Sequence, residues 1–134
     1  MTDDQAEVRR FAELLMRQVR DEAIAECDAH ATGRMLGQSG ARWRELLDGD
    51  DVRGAVQELI PEVVDLTLFY LIHALDQGDL PLAWQRRDGS YVSLYDLGRS
   101  EMAGMLLMGP DGWRHSYSSQ RIFDPEADSP NSSR

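Results

Sequence analysis

Glu58, Glu62, Asp65, Phe69, His73 and Asp76 follow one another at intervals of 4, 3, 4, 4 and 3 residues. At 3.6 residues per turn this spacing sets four carboxylates, an imidazole and a phenyl ring along one side of a helix. The plain alternative is the solvated side of an amphipathic helix, but three chemistries could use such a stripe. Carboxylates and a histidine turned into a helical bundle can hold a metal. The diagnostic Glu-x-x-His is missing, however, because Tyr70 stands three residues before His73, and the amino-terminal helix offers only Glu26 with His30. No metal and no other cofactor is assigned. His73 beside Asp65 or Asp76 could titrate near neutral pH and serve as acid or base. A nucleophile is missing: no basic cluster stands beside Cys27, Gly-x-Ser-x-Gly does not occur, and LGQSG lacks the lysine and the preceding strand of a phosphate loop. No catalytic residue is assigned. The third chemistry is protein recognition, in which an acidic face with Phe69 and nearby Tyr70 suits a basic partner, since complementary charge speeds association and rejects wrong partners. The six stripe residues are therefore the partner-binding candidates.

A second group has the opposite character. Arg86, Arg87, Arg99, Trp113 and Arg114, near Trp84, Tyr91, Tyr117 and Arg121, combine arginine with aromatics as binding hot spots do, and could seat an anion or a partner. The simpler account is that the arginines keep a hairpin in solution while the aromatics belong to the core. The charge is distributed accordingly: residues 1–79 hold 17 acidic and 8 basic residues, residues 80–123 hold 4 and 5. A net charge of −10 excludes nonspecific nucleic-acid binding, which depends on neutralising phosphates.

These side chains need elements to position them. Asp3 to about His30 has no Gly or Pro and repeats apolar residues every three or four positions, which predicts a long helix with Thr2 as its N-cap and Thr32-Gly33 as its end. A short helix is expected from about Ser39 to Leu47, capped by Ser39. Another begins at Asp50 or Asp51 and meets Pro61, where a kink, a break or a new helix start is expected. The most apolar run, LIPEVVDLTLFYLIHAL, then gives a central, mostly buried helix from Val63 to Leu75. Leu80, Leu82 and Trp84 alternate before Asp88-Gly89, which predicts a β-hairpin closed by a two-residue turn, with Tyr91 to Leu94 as its second strand. Tyr95 to Met108 returns to helical spacing, with Met102, Met105 and Met108 as core filler. GWRHSYSSQRIF is expected to fold back on the core as an irregular segment. DPEADSPNSSR, residues 124–134, reads as a disordered acidic tail.

At LFYLIHALDQGDLPLAW and GMLLMGPDGWRHSYSSQRI the chain resembles a family of small uncharacterised bacterial proteins, with an apolar helix ending in Asp-Gln-Gly, a short hairpin and a closing Gly-Trp-Arg segment. The resemblance covers about the second half and carries no catalytic residues with it. In size, acidity and helix-plus-hairpin organisation the chain is similar to immunity proteins of bacterial toxin systems.

The expectation is a single globular domain over residues 1–123, mainly α (α+β), with four or five helices around a central apolar helix and one small β-hairpin. With one cysteine, no apolar leader and no uninterrupted apolar span, a soluble cytoplasmic protein is expected. The expected function is noncatalytic protein binding, an immunity-like inhibitor engaging a basic partner through the acidic helix face, with no nucleic acid or membrane involved and a homodimer as a further expectation. The alternative is a small enzyme or small-ligand-binding domain using His73 with neighbouring carboxylates.

Overall fold

In the computed structural model, which describes residues 2–123, the chain is mainly helical with one two-stranded antiparallel hairpin. Helix α1 (Asp3–Leu14) runs through a π-helical turn (Leu15–Arg20) into α2 (Asp21–Ala31) without a break. Thr2 caps it as expected: its hydroxyl accepts from Gln5 N while the Gln5 side chain accepts from Thr2 N, a reciprocal capping box. The short helix α3 (Gly37–Leu46) is entered from Leu36 without a side-chain cap, and Ser39 instead hydrogen-bonds His30 Nε2 at 3.2 Å.

Helix α4 (Asp50–Asp76) is 27 residues long and passes straight through Pro61. Proline removes the N–H that would bond the carbonyl four residues back. That carbonyl, Gln57 O, is taken by the Arg121 guanidinium, which also grips Asp28 of α2 at 2.7 and 2.8 Å. The orphaned acceptor is thus satisfied from outside the helix, which continues through Pro61 with neither break nor restart.

The hairpin joins β1 (Ala83–Gln85) and β2 (Tyr91–Ser93), with Trp84 opposite Val92. Its loop is one residue longer than expected. Arg86 N bonds Ser90 O, Gly89 N bonds Arg86 O, and Gly89 stands at φ +90°, so Arg87-Asp88-Gly89 form a turn ending in a left-handed glycine. Next come α5 (Leu94–Gly98) and α6 (Met102–Leu107), where one helix was expected. Arg99 and Ser100 interrupt it at φ 52° and 60°, a left-handed pair that costs about 1–3 kcal/mol per residue. Asp76 at the end of α4 offsets that cost: its carbonyl accepts from Ser100 Oγ at 3.0 Å, and its carboxylate accepts from the backbone N–H of Met102 and Ala103 at 3.3 and 2.8 Å. The closing segment, expected to be irregular throughout, begins with a short helix α7 (Trp113–Tyr117), and the stretch to Phe123 completes the fold.

The main core lies where α1, the π turn, α4, α5 and α6 meet, around Met16, Leu68, Ile72, Leu75, Leu97, Met102, Leu106 and Trp113. A smaller cluster of Ile24, Ala31 and Ile60, with Trp43 against it, joins α2 and α3 to the first half of α4. Of the three methionines, Met102 is fully buried, Met105 is partly so, and Met108 is exposed. The central helix is less buried than expected. Asp65, Leu68, Ile72 and Leu75 face inward, whereas Val63, Leu66, Tyr70 and Leu71 are exposed, because the other elements pack on one side of α4 alone. The segment 124–134 lies outside the described residues. Among the described residues no helix is long and apolar enough to cross a membrane.

The Glu7 carboxylate is the central link between the hairpin and α1, beside the Arg86–Asp4 pair and the bond from Arg10 to Gln85 O. Glu7 is buried and accepts from Trp84 Nε1 (2.9 Å), Arg87 N (3.0 Å) and Arg10 Nε (3.0 Å), while Arg10 stacks over the Trp84 ring at 4.5 Å. The Arg87 amide, then the Trp84 indole, hold its carboxyl from the ordinary 4.5 down to about 2, against the opposing effect of burial. Because the folded value lies below the unfolded one, this stabilisation is complete above about pH 4.5 and is lost as the pH falls through about 2. Glu7→Gln is expected to lower the melting temperature at neutral pH and to flatten its decline between pH 4.5 and 2, followed by Trp fluorescence; an acid limb as steep as the wild type's would show that other carboxylates carry it.

Candidate functional site

The six stripe residues do share a flank of α4, but this flank turns toward the protein. Asp65 and Asp76 are buried, Glu62 and Phe69 are half-buried, and only Glu58 and His73 are exposed. Asp76 is used up in holding the α5–α6 junction. Asp65 is used up in an ion cluster.

Arg20, on the π turn, has no exposed surface, and each of its five N–H donors has an acceptor. Nε donates to Asp65 Oδ1 at 2.7 Å and Nη2 to Asp65 Oδ2 at 3.1 Å, the parallel fork that suits guanidinium and carboxylate. The remaining three donors reach Ser118 Oγ (2.7 Å), Gln120 O (3.3 Å) and Arg121 O (2.9 Å). Asp65 Oδ2 also accepts from Arg114 Nη1 at 3.1 Å, while Arg114 Nη2 reaches Leu107 O and its Nε, buried, has no partner. Asp21 completes the cluster by accepting from the hydroxyls of Ser118 and Ser119 and from Ser119 N. Burial pushes the Asp21 carboxyl up, but the hydrogen bonds from Ser118 and Ser119 outweigh it and leave the pKa below the ordinary value. Two guanidiniums and two carboxylates thus neutralise one another between α2, α4, α7 and the closing segment.

This accounting decides what Asp65 can do. Its two oxygens accept three charge-assisted bonds, so it is no free base and no free metal ligand. No hydrogen bond joins it to His73, whose ring stacks on Phe69 at 5.7 Å with planes 14° apart. The Asp65–His73 acid–base pair is therefore not assembled. Burial, followed by Glu26 and Asp28, raises the pKa of the Cys27 thiol, opposite to what a nucleophile requires. Among the described residues no three His, Cys, Asp or Glu side chains converge as metal ligands would.

The arginine and aromatic group does not form one patch. Arg86 pairs with Asp4 at 3.0 Å, Arg87 gives its backbone N–H to Glu7, and Trp113 is buried in the core against Phe11. Arg99 and Trp113 meet at an open groove of about 580 Å³ between α1 and the α5–α7 region, with Arg9 and Tyr117. Arg114 lies elsewhere. It joins Glu62, Asp65 and Phe69 around a cavity of about 270 Å³ whose wall also includes Leu66, Tyr70, Leu107 and Phe123. The structure thus brings together residues from both sequence-derived groups at one place, beside α4.

Arg20, Ser118 and Asp21 were missed, yet Arg20 and Asp65 left a sign. Ala12, Met16, Arg20 and Ile24 lie four apart on one helix, and Pro61, Asp65, Leu68 and Ile72 lie three and four apart on the other. A cation and an anion, each inside an apolar stripe, ask for one another. Asp65→Asn is expected to lower stability in urea unfolding by roughly 3–5 kcal/mol, because it leaves Arg20 buried without its counter-charge. Arg20→Met combined with Asp65→Leu is expected to cost less than the two single changes together. A cost for Asp65→Asn of about 1 kcal/mol or less would place the pair with surface ion pairs.

Geometry must carry the functional argument alone, since no family model matches the chain, and neither does any curated protein or any solved structure.

Proposed function

We propose that the protein is a noncatalytic recognition domain that binds another protein chain through the outward side of α4. One observation carries this: Val52, Val56, Leu59, Val63, Leu66, Tyr70 and His73 succeed one another at steps of 4, 3, 4, 3, 4 and 3, and all but the half-buried Val56 are exposed. The helix therefore turns charged Asp65 and Asp76 inward and a regular apolar seam outward. Ordinary surface helices do the reverse, and an apolar seam held open to water at this spacing is the side of a helix that meets another helix. Tyr70 is an aromatic anchor near its centre, and Glu58 and Glu62 stand along its rim, the anatomy of an interface with an apolar middle and a polar edge.

The expected immunity-like role, with a basic target held by the acidic stripe, is narrowed by this geometry. Asp65 and Asp76 are committed internally, so Glu58 and Glu62 are the stripe carboxylates left to meet a basic partner. The alternative of small-ligand binding rests on the cavity beside Arg114, whose one cation already serves Asp65 and Leu107 O. The commitment of Asp65 to Arg20 and Arg114, away from His73, favours binding over catalysis. The single Cys27, free and with its thiol pKa raised by burial, is consistent with a reducing, cytoplasmic setting.

The test compares tagged wild type with the Val63→Glu, Tyr70→Glu double variant for the polypeptides retained from a lysate of the source cell, an untagged copy of this chain counted among them. The expected result is a loss of at least about tenfold of one or more stoichiometric species, since each change puts a carboxylate into a buried apolar contact. An unchanged set of retained proteins would overturn the reading.

A further inference from the structure

From the same seam we infer that the chain bound there is a second copy of this protein, with the two α4 helices lying antiparallel. The inference rests on the protein-binding reading above and names its partner. Three features select a second copy. The first is spacing: alternating steps of 3 and 4 are those at which identical helices interlock side chain into gap, and a symmetric pair needs only one such surface, used twice. The second is extent. From Val52 to His73 the seam is about 32 Å long at 1.5 Å per residue. With Leu107 beside it, the exposed apolar area is on the order of 500 Å², in the range of patches that are often functional and suited to the middle of an interface burying about 800 Å² on each partner.

The third is charge, which also sets direction. Asp50, Asp51, Glu58 and Glu62 all lie in the first half of α4, whereas in the second half Asp65 and Asp76 are turned inward and the outward positions Thr67, Tyr70 and His73 bear no acid. A parallel pair would bring two acidic halves and two like helix-dipole ends together; an antiparallel pair places each acidic half on the uncharged half of the other copy. In that register Leu59 meets Tyr70 of the second copy, Val63 meets Leu66, and the half-buried Val56 meets His73, while Val52 falls opposite Gln77 at the end of the helix.

Sedimentation of the full chain tests the proposal, with a mass twice the 15.2 kDa of the chain expected. Leu66→Glu is expected to raise the dissociation constant roughly 100-fold or more, because it buries two unpaired carboxylates by symmetry. Its circular dichroism should match the wild type's, since Leu66 faces outward in each protomer. Direction is read by cross-linking in a Cys27→Ser background: a Leu59→Cys chain mixed with a Tyr70→Cys chain should form the mixed disulfide dimer, and neither should link to itself. Self-linking of each would overturn the antiparallel arrangement. A wild type that is monomeric at every concentration, or a Leu66→Glu variant that remains dimeric, would overturn the second copy as the occupant. If the wild type is monomeric but Val63→Glu with Tyr70→Glu still releases captured protein, the recognition reading stands with a different partner. If neither self-association nor capture depends on the seam, both fall.

Discussion

A guanidinium without access to water needs an acceptor for each of its five donors, and the architecture is largely the means by which Arg20 obtains them. Desolvating Arg20 and Asp65 costs several kcal/mol per ion, a loss that close bidentate geometry and full satisfaction of the remaining donors must offset. One element cannot meet that demand. The π turn supplies the cation, α4 supplies the carboxylate, and Ser118, Gln120 and Arg121 supply the other three acceptors. The pair thereby fixes the relative placement of the first helix, the central helix and the closing segment with a specificity that apolar packing alone does not impose. Asp21 and Arg114 leave the cluster with balanced charge.

The same demand explains why α4 is used as it is. Its inward flank is occupied by Asp65 for Arg20 and by Asp76 for the α5–α6 junction, with Leu68, Ile72 and Leu75 between them. All the helices that pack on α4 come to this side. Among the described residues the opposite side, although apolar, is left open, with Val63, Leu66 and Tyr70 exposed. Helix α4 is thus apolar on both sides, its buried side carrying two internally satisfied carboxylates among Ile60, Leu68, Ile72 and Leu75 and its other side exposing Val63, Leu66 and Tyr70.

Much of the fold was legible. The long first helix, its Thr2 cap, the start at Asp50, the hairpin and the return of the closing Gly-Trp-Arg segment to the core followed from propensity, capping and turn chemistry, which act over a few residues. The length of the hairpin loop and the Ser39 cap were local misreadings, and the larger errors arose where a distant group decided the outcome. Continuity through Pro61 depends on Arg121, 60 residues downstream, replacing the missing donor at Gln57 O. The division of Tyr95–Met108 depends on Asp76, and the two left-handed residues it supports carry no glycine to announce them. Of the candidate site, the stripe was correctly placed along one flank of α4, but periodicity cannot tell an inward flank from an outward one. A row containing four carboxylates reads as solvent-facing unless the buried cation opposite is recognised, and Arg20 lies 45 residues away from Asp65.

The attachment of the closing segment also has a consequence for synthesis on the ribosome. Residues 118–121 supply three of Arg20's five acceptors, the hydroxyl that donates to Asp21 and the donor for Gln57 O, and they do so across 64 to 101 residues of chain. Until these last described residues leave the exit tunnel, the nascent first and central helices cannot close on each other without a desolvated, half-satisfied guanidinium between them. The first and central helices therefore wait for these four residues to emerge before they close, and the nascent chain spends that interval with its apolar seam and its unfinished core both exposed.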